Sequence, residues 1–248
     1  MNDTVLYAAA ETGVVTLTLN RPRARNAMNL ALAEALSAAC RRAVAAAVRV
    51  VLLRAAGPVF CAGADLKERR GMTDDQVRAR RVKGFAAYHA IETLPMPVIA
   101  VVEGAAVGSG CEIAAACDFI LATPAASFRT PEALWGTVGA TQRLPRVLGK
   151  RLAKDMMFTG RTLGAEEALA HGLVTRLVAA EALESTLAEI AGVIAKAPPG
   201  ALRLAKRCIE EGLDRDPRGA LATELLAIEE SLAAEEWRQA MAGFGDPA

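Results

Sequence analysis

Histidine is nearly missing from this sequence. His89 and His171 are the only two in 248 residues, which argues against a metal centre built on imidazole. Cysteine is scarce and unpaired: Cys40, Cys61, Cys111, Cys117 and Cys208 are an odd number, show no CxxC spacing and sit in apolar or alanine-rich surroundings. They read as reduced thiols of a cytoplasmic protein, not as a disulfide framework. Charge of one sign is lacking as well. The 29 basic and 28 acidic residues leave +1, with no long basic block to follow a polyanion, so no nucleic-acid partner is expected. No apolar run approaches the roughly 20 residues of a membrane span. The N-terminal stretch MNDTVLYAAAETGVVTLTLN holds Asp3 and no basic n-region, so neither a membrane nor a targeting route is expected.

What remains is a chain that is 53% hydrophobic, enough for a substantial core in one domain or in a domain with a helical appendage. Residues 14–19 form a strand-like apolar run, and NRPRARN (20–26) is a basic turn. Residues 29–47 are alanine-rich and helical, and VRVVLLRA (48–55) is β-branched and reads as a buried strand. The cycle recurs with a helix at 74–92, a strand at 97–103, a helix at 108–117 and a strand at 118–123. Strands alternating with helices predict an α/β fold with crossover connections. Beyond residue 180 the pattern is helical only, broken by Pro198-Pro199-Gly200 and Asp216-Pro217 into about three helices. There Leu221, Leu225, Ile228 and Leu232 recur at helical spacing, a seam for packing either on the chain's own core or on another subunit.

The chemistry concentrates at two glutamates. Glu112 closes GAAVGSGCE (104–112), where a strand runs into glycines and opens a helix, so N–H groups around Ser109 and Gly110 should be unpaired and able to hold an anion. Gly104, Gly108 and Gly110 match neither GxGxxG nor a Walker loop and no lysine follows, which argues against a nucleotide. Val107 stands where a nucleophile elbow needs glycine, which sets Ser109 aside as a nucleophile. Glu132 follows the Thr130-Pro131 turn. Singly, each glutamate is an ordinary first-turn residue that complements the helix dipole. FCAGADLKE (60–68) adds a second glycine turn. Two turns able to aim N–H groups at one carbonyl oxygen, with two carboxylates to move protons beside it, are the means of stabilising an enolate.

FCAGADLKE, GSGCEIAAACD, TPEALWG, TQRLPRVLG (141–149), MMFTGR (156–161) and AEEALAHGLV (165–174), in this order and spacing, resemble the enoyl-CoA hydratase/isomerase (crotonase) superfamily. The resemblance runs from about Leu17 to Phe244. It implies an α/β crotonase-like spiral of ββα repeats over residues 1–180, carrying CoA and the active site. Residues 181–248 would be a C-terminal helical trimerisation region, giving a homotrimer or a dimer of trimers. The resemblance makes the N–H groups of Ala64 and Ser109 the oxyanion-hole donors, with Ser109 standing where the family often has Gly. It makes Glu112 and Glu132 the catalytic pair. Arg23, Ala24 and Arg25 would lie beside the CoA nucleotide, and Ala62, Ala64, Asp65, Leu66 and Lys67 in the loop that wraps adenine and pantetheine.

The implied activity is hydration of the C2=C3 bond of a 2-enoyl-CoA thioester. CoA enters as part of the substrate, and no metal or separate cofactor is expected. A double-bond isomerase would share the oxyanion hole and shuttle a proton on one glutamate, so the intact pair favours the hydratase. FCAGADLKER also resembles methylglutaconyl-CoA hydratases, a group with an RNA-binding member, so RNA binding is an alternative of another class, and a non-catalytic assembly protein is a third. Two departures from the family stand out. Residues 136–141 form a shorter loop than its Gly-x-x-Pro-Gly-x-Gly-Gly-Thr-Gln-Arg, and EWRQAMAGFGDPA (236–248) lacks its Lys/Arg-rich tail.

Overall fold

The computed structural model describes residues 4–242. β1 (Val5–Ala9) and β2 (Val14–Leu19) are followed by α1 (Leu30–Ala45), β3 (Val50–Ala55), α2 (Leu66–Arg69) and α3 (Asp74–Glu92). Next come β4 (Val98–Val102), β5 (Ala105–Val107), α4 (Ser109–Ala115), β6 (Phe119–Ala122), β7 (Ser127–Arg129) and α5 (Arg143–Thr159). β8 (Thr162–Gly164), α6 (Ala165–Ala170) and β9 (Arg176–Leu177) lead into α7 (Leu183–Lys196), α8 (Pro199–Leu213), α9 (Pro217–Ala233) and α10 (Glu236–Ala242). The α/β class expected from the alternation holds. Among the described residues after 180 there is no strand, and α10 adds a helix to those expected.

Two sheets result. The larger runs β1-β2-β3-β4-β6-β9 and is antiparallel only between β1 and β2; the smaller runs β5-β7-β8 with β5 and β7 parallel. At β3 and β4 both faces of the larger sheet are buried, which is why these strands read as unbroken apolar runs. The pleat sends alternate side chains to opposite sides. Val51, Leu53, Val98, Ala100 and Val102 join Leu32 and Leu36 of α1 in the main core. Val50, Leu52, Ile99, Val101 and Leu121 turn the other way, onto Leu183, Leu187 and Ile190 of α7. Each such side chain contributes about 1.5–3 kcal/mol when buried, so α7 is part of the packing that holds the sheet. Lys206 of α8, with Nζ 2.9 Å from Asp118 Oδ1, ties the next helix to the start of β6.

β1, β5, β7, β8 and β9 are strands that the sequence pattern did not reveal. All but β1 are two or three residues long, too short to display an alternation. They nevertheless set the architecture, because the chain passes from the larger sheet to the smaller between β4 and β5 and again between β6 and β7. The first passage needs Gly104, where a Cβ would stand 2.1 Å from the Pro58 carbonyl oxygen. A helix follows each strand pair, giving repeated strand-strand-helix units. The seam residues Leu221, Leu225, Ile228 and Leu232 of α9 are all exposed in the single chain. Residues 243–248, the end of the 181–248 region and the location of Phe244, lie outside the described residues. No helix among the described residues is long and apolar enough to cross a membrane.

Candidate active site

The two glutamates are 20 positions apart in sequence and are brought together by the smaller sheet. β5 and β7 pair in parallel with Val107 opposite Arg129, so the segments leaving their C-terminal ends emerge side by side. The Gly108 N–H donates to the Arg129 carbonyl at 2.8 Å, and α4 starts one residue later. After β7 the chain turns at Pro131 into a short 3-10 segment, Glu132–Trp135. Glu112 and Glu132 thereby line one cavity of about 500 Å³, together with Ala64, Ser109, Tyr88 and Gly139.

The two carboxylates have unlike surroundings. Glu112 is 5% exposed and its Oε2 accepts a hydrogen bond from Arg143 Nη1 at 2.8 Å. Among the described residues Glu132 makes no ion pair of this kind, and its Oε2 is buried without a hydrogen-bond partner. Burial pushes the Glu132 carboxyl above its ordinary range; a bond from its own backbone N–H and the charge of Arg81 oppose that, and the charge of Glu112 adds to it. One cavity therefore holds an ion-paired carboxylate and a carboxyl raised by burial, two groups with unlike surroundings for handling protons.

The two glycine turns are locked against each other. The Cys61 N–H donates to Ala105 O at 3.1 Å and the Val107 N–H to Cys61 O at 2.8 Å. At Gly110 a Cβ would come within 2.4 Å of the Cys61 carbonyl oxygen, so only glycine permits this approach. On its other edge the first turn pairs with Met28: the Met28 N–H donates to Gly63 O at 2.7 Å and the Asp65 N–H to Met28 O at 2.9 Å. Ala64 is thus the residue paired with Met28 in a parallel bridge, and the N–H of such a residue points away from its partner strand. Ser109 is the first residue of α4, where an N–H has no intrahelical acceptor. Neither N–H donates to a protein acceptor among the described residues.

Of the remaining expected residues, Ala62 and Leu66 line the cavity. Arg23, Ala24 and Arg25 do not line it; only Arg25 reaches its edge, its carbonyl accepting from the Ala62 N–H at 3.0 Å. Arg23, Arg25 and Lys67 are exposed. The Asp65 carboxylate caps α2, accepting from the Lys67 and Glu68 N–H groups, and pairs with Arg21 at 3.0 Å.

Sequence reasoning assigned no role to Arg143, Tyr88 or Asn26, and took Gly108 only as one glycine of a loop. Asn26 is fully buried at φ 52° and donates to both Ala56 O and Val59 O, fastening the basic turn to the segment that leads into FCAGADLKE. Burial raises the Tyr88 phenol, which faces the Ser109 hydroxyl. The visible hint was an asparagine in the turn NRPRARN, a residue type enriched in the left-handed region. Nothing local marks Arg143, whose partners come from two other helices.

The family model described as enoyl-CoA hydratase/isomerase matches residues 9–246. The chain is 36% identical over 249 residues to a short-chain-enoyl-CoA hydratase of Clostridium acetobutylicum, covering 98% of this chain and 95% of that one. It is 35% identical over 251 residues to the enoyl-CoA isomerase/hydratase fer4 of Mycosarcoma maydis, covering 96% and 91%. The crystal structure of an enoyl-CoA hydratase from Bacillus anthracis matches with a TM-score of 0.93 at 39% identity, over 97% of this chain and 95% of that one. The expected crotonase-type spiral is therefore the observed fold.

Proposed function

The chain belongs to the enoyl-CoA hydratase/isomerase family, and from that premise we propose that it is a 2-enoyl-CoA hydratase, adding water across the C2=C3 bond of an acyl-CoA thioester. The observation that carries this reading is the unlike pair of carboxylates on one cavity, Glu112 ion-paired and Glu132 with a raised carboxyl.

In this reading the thioester oxygen accepts from the N–H groups of Ala64 and Ser109. Those bonds strengthen as negative charge builds on the oxygen, so they favour the enolate-like transition state over the ground state. Glu112, paired through Oε2 with Arg143, takes a proton from water as the water oxygen bonds to C3. The π electrons pass to the enolate, and Glu132 gives its proton to C2. Glu112 ends protonated and Glu132 ionised, and one proton exchanged through solvent restores both. Kinetic pKa values then belong to the pair. The CoA portion would lie along Ala62, Ala64, Asp65, Leu66 and Lys67, with Arg23, Ala24 and Arg25 at the nucleotide. The exposed seam of α9 would meet other subunits in a homotrimer or a dimer of trimers, in the cytoplasm.

The test is incubation with crotonyl-CoA in heavy-oxygen water. A 3-hydroxyacyl-CoA product carrying the label supports the hydratase. Migration of a double bond without incorporated oxygen would assign the isomerase, and no turnover of any 2-enoyl-CoA would reject both.

A further inference from the structure

Arg143 opens α5 and Glu92 ends α3, so each charge stands at the helix end whose dipole disfavours it. The two ends meet. The guanidinium forks onto Glu92, with Nε 3.1 Å from Oε1 and Nη2 2.6 Å from Oε2, and its remaining arm, Nη1, reaches Glu112 Oε2 at 2.8 Å. The side chains of Arg143 and Glu112 are 15% and 6% exposed, so the contact is largely out of water. A carboxylate buried to that degree without a cation neutralises itself or finds a partner. With Oε2 pinned, Oε1 is the Glu112 oxygen left for the cavity.

We propose that Arg143 is a positioning residue that holds Glu112 by Oε2 as the charged, fixed base, is itself anchored by Glu92, and so decides which of the two glutamates activates water. The proposal rests on the hydratase reading. Each helix-end violation is explained by it: Glu92 and Arg143 are tolerated because they meet, and they meet where a third helix, α4, presents the base. A lysine carries the charge but cannot reproduce a fork and a third contact at once.

The experiment compares wild type with Arg143→Gln, Arg143→Lys and Glu92→Gln. Arg143→Gln is expected to lower kcat about 10²-fold or more, the scale of a lost general base, with KM within a few-fold. The acid limb of its kcat profile moves to higher pH, because a proton now competes for a base without its cation. Arg143→Lys recovers part of kcat and returns the limb toward wild type, and Glu92→Gln gives a smaller loss of kcat. A second arm needs no activity. Arg143→Gln should melt below wild type, and adding Glu112→Gln should raise the melting temperature again by removing the orphaned charge. Arg143→Gln with wild-type kcat and pH profile, or a double variant melting no higher than the single, would overturn the proposal. A wild type that hydrates nothing while the melting recovery appears rejects the hydratase reading and leaves the hold of Arg143 on Glu112 standing.

Discussion

Replacing Gly108 by alanine should damage catalysis far more than folding. Gly108 stands at φ 50°, ψ −106°, and a Cβ there would lie 2.3 Å from Glu132 Oε1. Real Cβ contacts essentially never fall below 3.0 Å, so the carboxylate must retreat by at least ~0.7 Å, the difference between those two distances. A displacement near 1 Å of a reacting group can cost on the order of 10² in rate. The strained backbone adds about 1–3 kcal/mol, which a domain stable by roughly 5–15 kcal/mol survives. Gly108→Ala should therefore fold, bind acyl-CoA and lose on the order of 10–10² in kcat. Gly71→Ala is the control: Gly71 also has positive φ, 83°, but its Cβ would meet nothing within 4 Å, so it bears backbone strain alone. The assay is the disappearance of enoyl-thioester absorbance, with a melting curve beside it. A folded Gly108→Ala enzyme with wild-type kcat would refute the placement of Glu132 at the reacting centre.

The glutamate pair yields a further expectation: Glu112→Gln and Glu132→Gln should each lose on the order of 10²–10⁴ in kcat with acyl-CoA binding largely kept. For Glu132 there is also a stability signature. A carboxyl raised by folding binds its proton more tightly in the native state, so stability is lost as pH rises from the ordinary glutamate range through the raised value. Glu132→Gln escapes that loss and should melt increasingly above wild type across the same window; equal melting at all pH values would contradict the burial argument. At Ser109 only the backbone N–H is assigned a role, so Gly or Ala should change activity modestly, while Pro should cost roughly 10²–10³ in kcat if folded. A nearly dead Ser109→Ala would reject the oxyanion assignment and reopen the serine as a nucleophile. Finally, Leu221, Leu225, Ile228 and Leu232 are each 45–56% exposed on one face of α9, so sedimentation should give a trimer or a pair of trimers, and a monomer at micromolar concentration would contradict it.

The long elements were legible because their apolar periods are long. β2 and α3 fall where the pattern places them, at Val14–Leu19 and Asp74–Glu92, and α3 even carries its capping box, Thr73 with Gln76. α1 and β3 start slightly later than the apolar composition suggests. Asn29 is spent as the N-cap of α1, and Val48 turns back to donate to Ala43 O at 3.2 Å before β3 begins. The short strands of the smaller sheet were not legible, since three residues carry no period. Yet that sheet determines the site: the register of Val107 against Arg129 brings the two glutamate segments together. What the sequence offered there was its glycines. Gly104, Gly108 and Gly110 read as a loop whose neighbouring N–H groups could hold an anion, and in the structure they are places where two backbones, or a backbone and a carboxylate, come too close for any Cβ.

The glutamates illustrate why the rest required three dimensions. Local sequence gives Glu112 and Glu132 the same description, an acid in the first turn after a bend, so it can nominate both but cannot divide the work between them. The division is a property of their neighbours. Glu112 meets a guanidinium from 31 positions downstream, whereas Glu132 packs against the Cα of Gly108 and the loop at Gly139 with one oxygen left bare. Composition near Glu132 predicts nothing of this, because Arg81, the cation that moderates it, spends its hydrogen bonds on Thr137 and the Val138 carbonyl. That same spending ties residues 137 and 138 to α3, and the tie sits beside the acid that Arg81 moderates.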